Sequence, residues 1–296
     1  MIENLWLWFC ILAIVATTVK VFYIKKIDNS VSNLHILFFS RLAACIVLIP
    51  FYAKVEIPGN PVFWLATGLA VFLTTLAGYT YIEALKKGML SVVASIQATI
   101  PIFMVVIIAL AYQEFLTWQS LFFLVGAMLS LGILLFFNKG HKYVENKEKW
   151  KPVLLSLLAS FLYAASTVLD RVAISSVDYG ALNYTFIWNA MSLVFLFILM
   201  RGRLRVNAVG VHRKWLLIVA CSSTIAFVTQ QYAVQYSLFI PNGVTYVKSL
   251  VMFHIAVLMI LGVTYFDEKY KMKTVVISFV GIICSVGLAL SSMQAG

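Results

Sequence analysis

The sequence predicts an all-α integral membrane protein, with ten transmembrane helices arranged as two inverted five-helix repeats. Three observations carry this reading. Long apolar segments follow one another along the whole chain, one hydrophilic stretch divides them near the middle, and polar and small-residue patterns recur half a chain apart.

The 296 residues are 62% hydrophobic and 11% charged, with a mean hydropathy of +0.97. Soluble domains carry roughly 25% charged residues, so a water-soluble globule is excluded. Roughly 20 apolar residues of helix cross about 30 Å of hydrocarbon. Ten segments meet that length: 4–24, 33–52, 62–85, 89–112, 117–138, 152–175, 179–200, 214–237, 243–266 and 273–293. The first has no basic stretch ahead of it and reads as a span, not a cleaved signal peptide. The fifth and tenth are nearly free of polar side chains and carry GAMLSLGILL (126–135) and GIICSVGLAL (281–290). Lipid offers no hydrophobic drive between helices, so such faces associate by close backbone approach. Gly126 with Ser130, and Gly281 with Ser285, form either packing supports that close each half or a homodimer contact.

The divider is NKGHKYVENKEKWK, 138–151. It separates a first unit, 1–138, from a second, 152–296, with 139–151 as a basic linker loop. The halves correspond. Thr17 and Lys20 match Thr167 and Asp170 at an offset of 150, Glu114 matches Glu268 at 154, and the glycine segments match at 155. So long a period indicates duplicated bundles rather than a solenoid. Five spans is an odd number, so the second copy enters the membrane from the opposite side. Inverted repeats of this kind characterise secondary transporters, whose halves exchange conformations.

Charge then fixes topology. Of the 22 Lys and Arg, 17 lie in the loops after spans one, three, five, seven and nine, and only Lys54 and Arg171 lie at the other membrane face. Basic loops stay cytoplasmic, which places both termini outside the cytoplasm. The net charge of +11 therefore reads as topology and lipid-headgroup contact, not nucleic-acid binding. The four cysteines all fall in apolar runs without metal-like or paired spacing. No GxxxxGK[ST] loop, zinc spacing or Ser/His/Asp cluster is present, so neither an enzyme nor a cofactor is expected.

Ionisable groups inside spans are costly, and each is a functional candidate. Lys20 and Asp170 occupy equivalent places and either pair across the bundle to gate one end or reach separately to headgroups. Arg41, mid-way along the second span, either holds a substrate carboxylate or phosphate in a bidentate fork or clamps backbone carbonyls. Lys248 shares a face with Thr245, Ser249 and Met252, and the matching face of span four is Ser91, Ala94, Ser95 and Ala98. It reads as substrate contact or counter-ion, or as a snorkelling lysine. His254 either couples protons or is hydrogen-bonded structurally. Asn189 matches Arg41 in the repeat, Gln231 lies on the polar stripe Thr224–Gln231–Gln235, and Tyr79, Trp188, Tyr232 and Tyr246 add aromatic surface. Glu114 and Glu268 close their helices as structural groups.

EALKKGMLSVVASIQATIPIFMVVIIALAYQEFLTW (83–118), GAMLSLGILL and GVTYVKSLVMFHIAVLMILGVTYFDEK (243–269) resemble, in this order and spacing, the EamA family of the drug/metabolite transporter superfamily. In the second half His254-Ile255 stands where the resemblance implies a proline, and Gln113 and Asp267 stand where it implies glycine. The resemblance implies a ten-span bundle around a central cavity, exporting or exchanging small metabolites by alternating access. It also implies both termini in the cytoplasm, against the charge bias. The expected activity is secondary transport of a small polar, anionic or zwitterionic metabolite in the inner or plasma membrane, as monomer or homodimer. Protons or a counter-substrate would drive it. Two cations against one acid in the bundle set the sign of the substrate. The alternative is a receptor or scaffold that retains the bundle without transporting.

Overall fold

Each apolar run on which the computed structural model has continuous coverage is a helix. The model describes residues 5–27, 31–54, 57–112, 150–177, 180–201, 212–238 and 243–266, with isolated positions between 118 and 129 and between 276 and 287. Among the described residues there is no strand, and eight segments are long and apolar enough to cross a membrane. The protein is a multi-pass membrane protein. Most of the fifth and tenth runs lie outside the described residues, as do Glu114, Glu268, Ser130, Gly281, Ser285 and nearly all of the 139–151 linker.

The first half supplies α1 (Leu5–Lys26), α2 (Asn33–Leu48, continued as a 3-10 turn to Lys54), α3 (Pro61–Lys87), α4 (Leu90–Ile96) and α5 (Ile100–Tyr112). The second supplies α6 (Trp150–Ser175), α7 (Gly180–Leu199), α8 (Arg213–Ser237), α9 (Gly243–Val251) and α10 (His254–Phe266). Their ends follow local chemistry. Asn60 accepts from the Val62 N–H at 2.9 Å, and Pro61, which has no N–H to satisfy, takes the first helical position of α3. At the far end Lys25 donates to the Leu85 carbonyl at 2.7 Å and to the Gly88 carbonyl, placing a cation on the negative end of the α3 dipole.

The helices other than α4 and α9 each expose one side. On α3, Leu65, Leu69, Phe72, Leu76 and Tyr79 recur every three or four residues and are all exposed. The inner faces meet in one apolar cluster that draws on both halves. Packing between the halves is reciprocal: α1 lies along α8, and α3 lies along α6, as the two most extensive interfaces.

Two spans are broken. The fourth run splits into α4 and α5 around a 3-10 turn, Gln97–Thr99. Pro101 causes this, because it cannot donate to the Gln97 carbonyl and its ring would collide with it. The Ile100 N–H closes on Gln97 instead. The ninth run splits at 252–253 without any proline, through i→i−3 bonds from Phe253, Ile255 and Ala256. Sequence reading anticipated the proline of the first half but not a break in the second.

The glycine segments of the fifth and tenth runs meet each other. A Cβ on Gly126 would stand 2.9 Å from the Cys284 sulfur, and one on Gly287 would collide with the Phe123 ring.

Candidate functional site

The second helix carries Arg41 inward, where the bundle would ordinarily be apolar. Its guanidinium carbon lies 4.3 Å from the Trp188 ring centre and 5.6 Å from that of Phe227, and these two rings are 4.4 Å apart. Stacking on rings leaves the in-plane N–H edges of a guanidinium available to an anion. No hydrogen bond or ion pair from Arg41 to a described residue exists, and the side chain is 9% exposed.

The facing helix supplies polar groups that lack protein partners. On α7, Thr185, Trp188, Asn189 and Ser192 share one face by their spacing and are buried. Asn189 donates to the Thr185 carbonyl at 2.7 Å, which leaves its own Oδ1 unpartnered. The Thr185 hydroxyl, the Trp188 N–H and the Ser192 hydroxyl are unpartnered as well. Two further orphans, the Thr245 and Ser249 hydroxyls, flank Lys248 on α9. A buried polar atom without a partner costs about 1–3 kcal/mol. Such a concentration marks a region whose partners come from solution: water or a polar solute.

Next to this face lies the acid. Asp170, on α6, accepts from the Tyr184 hydroxyl on one oxygen and from Gln231 Nε2 at 3.3 Å on the other. Lys248 attracts it, whereas Lys20 repels Arg41 and Lys248, and His254 lies within reach of Lys20 and Lys248. Among the described residues, three basic side chains and one carboxyl group thus share the interior. His254 Nδ1 lies 2.6 Å from the Val251 carbonyl, bonding the ring to the backbone beside the second break.

The structure therefore gathers Arg41 and Trp188 in one place, with Asn189 next along the same helix face, and Gln231, Asp170 and Lys248 in another. Tyr246 is buried on α9 in the apolar cluster. Two expectations are corrected. Lys20 and Asp170 form no ion pair among the described residues; the Asp170 oxygens accept from Tyr184 and Gln231 instead. Tyr79 is 41% exposed on the lipid-facing stripe of α3 and stands apart from the cluster. Sequence reading missed Tyr184 and Phe227. Phe227 sits three residues after Thr224 and four before Gln231, within the period of the polar stripe, and Tyr184 sits four before Trp188.

A cavity of about 370 Å³ opens at one end of the bundle, lined by Ile57, Pro58, Asn60, Ser175, Ser176 and Asn183 among others. Asn183 adjoins Tyr184, and Ser175 follows Asp170 by five residues, about 7.5 Å along a helix. The cavity thus approaches the Asp170–Tyr184 contact from outside.

Residues 4–137 match the EamA-like transporter family. Among solved structures, 27 chains match this one. One of them, titled only "Crystal structure of protein", superposes with a TM-score of 0.64 over 97% of this chain and 97% of its own, at 16% identity. That likeness establishes a shared fold. No curated protein matches the sequence.

Proposed function

We propose, from a first half (residues 4–137) that matches the EamA-like transporter family of the drug/metabolite transporter superfamily, that this chain is a secondary active transporter. It exports or exchanges a small anionic or zwitterionic metabolite by alternating access. One observation carries the reading: among the described residues inside the bundle, the basic side chains Arg41, Lys20 and Lys248 outnumber the single acid Asp170, and nearby buried polar atoms have no partner among the described residues. Buried charge left without a counter-ion is strongly unfavourable, and a negatively charged solute supplies what the protein omits. Arg41 and Lys248 hold its acidic group, Trp188 is the platform under Arg41, and Asn189 and Gln231 offer their free carbonyl oxygens to donors on the solute. Lys20, Asp170 and His254 lie where protons or a counter-substrate would couple to it.

The architecture proposed is ten spans in two inverted units, 1–138 and 152–296. Reciprocal packing of α1 on α8 and of α3 on α6 supports it, as does a break in the fourth and ninth runs at matching places. The charge bias supports a cell-membrane protein with both termini outside the cytoplasm. The protein would act as monomer or homodimer, without nucleic acid.

Solute counterflow into proteoliposomes tests the function. Loaded with a mixed pool of small carboxylates, amino acids and organic phosphates, the purified chain should exchange at least one of them above empty liposomes. Folded protein that exchanges none would instead be a non-transporting receptor or scaffold.

A further inference from the structure

The two ends of the bundle are closed differently, and the difference falls on two pairs of equivalent residues. At the end with the basic loops, α1 finishes in Lys25-Lys26. Lys25 binds the carbonyls that end α3, in the first half. Lys26 reaches the other way. Its ammonium lies 4.5 Å from the Phe22 ring centre, 5.5 Å from Tyr23, 5.4 Å from Trp215 at the start of α8 and 5.8 Å from Tyr265 at the end of α10. The rings brace each other, Tyr23 stacking on Trp215 at 5.0 Å and Phe22 meeting Tyr265 edge-on at 5.5 Å. Adjacent lysines therefore tie one helix end to both halves.

The register that matches Lys20 with Asp170 matches Lys25 and Lys26 with Ser175 and Ser176. Those serines bridge nothing comparable. They line the 370 Å³ cavity, where Asn60 donates to the Ser176 carbonyl at 3.4 Å. We propose that Lys25 and Lys26 are the latch that holds the basic-loop end of the transport path shut while the Ser175–Ser176 end stands open. The cycle of the transporter proposed above then requires Lys26 to leave its ring cage. An ammonium held by aromatic faces suits that task, because each contact is modest and water can replace it.

This inference rests on the transport reading, and the test separates the two. Spin labels at positions 87 and 214, both exposed at the latched end, report its width by pulsed distance measurement in the full chain in lipid, with the native cysteines replaced. The wild type should give mainly the short distance. Lys26→Gln and Tyr265→Leu should each move the ratio of long to short distances by about five-fold or more, and Lys26→Arg should not. Tyr265 is 65% exposed, so its replacement decides the matter even where Lys26→Gln fails to fold. Wild-type distances in the variants, or opening by Lys26→Arg equal to that by Lys26→Gln, would overturn the latch. If the wild type exchanges solute and the distances stay fixed, only the latch fails. If no solute is exchanged yet the distances shift, the latch holds and the transport reading fails.

Discussion

Each half of the chain breaks one helix, and the two breaks are held in opposite ways. Around Gln97–Thr99 the exposed backbone is closed by a neighbour. Gln97 donates to the Ser160 hydroxyl at 3.1 Å and to the Ser156 carbonyl at 3.2 Å, while Ser156 donates to the Val93 carbonyl at 2.9 Å and Ser160 to that of Ile96 at 3.3 Å. All three side chains are buried, so α6 welds the first break shut. At 252–253 the closure is local, from His254 onto Val251. At the offset of 154, Lys248 stands where the first half has Ala94, with unpartnered hydroxyls on either side. A break in lipid must satisfy its own backbone. The first does so with the help of the buried Gln97, Ser156 and Ser160 side chains. The second keeps a cation and polar groups unspent, and that is where a solute would be met.

The sharpest way to break this contrast is Lys248→Ala. Flux should fall on the order of 100-fold, the scale of losing a charged contact in a dry site, with the thermal stability of purified protein nearly unchanged. Loss of folded yield without a separate transport defect would make the second break structural like the first. Gln97→Leu is the converse. It should cost about 1–2 kcal/mol of stability in a detergent or lipid unfolding assay and leave flux per folded molecule within about two-fold.

Legibility in the sequence followed the same division. The eight spans among the described residues are readable to within a few residues, 4–24 against Leu5–Lys26 and 243–266 against Gly243–Phe266, because apolar length is a property of a segment alone. The first break had a proline to announce it; the second has none, and its i→i−3 turn depends on packing. The repeat register puts the counterpart of Arg41 near Asn189, and the structure brings the adjacent Trp188 onto the guanidinium. The same logic failed for Lys20 and Asp170, since residues related by a pseudo-twofold axis touch only if they lie near it. Tyr79 was misread by residue type when its phase already matched Leu65, Leu69, Phe72 and Leu76.

Smaller effects sharpen the picture. Tyr184→Phe removes the hydroxyl that Asp170 accepts from, and flux should drop about five- to ten-fold, the worth of one ordinary hydrogen bond. An unchanged rate would mean that the cavity-side contact plays no part in the cycle. Tyr79→Leu should change neither flux nor stability by more than about two-fold, as for an exposed lipid-facing position. A large loss of flux there would place the solute path on the wrong face of α3.

The central claim is that the surplus of buried cations exists to meet a negative group on the solute. In the proteoliposome assay, a solute found to exchange is compared with its neutral amide, the carboxylate replaced and everything else kept. The carboxylate should exchange about ten-fold faster or more in the wild type, and the preference should collapse in Arg41→Gln/Lys248→Gln. Equal exchange of acid and amide, or a preference that survives the double substitution, would contradict the account.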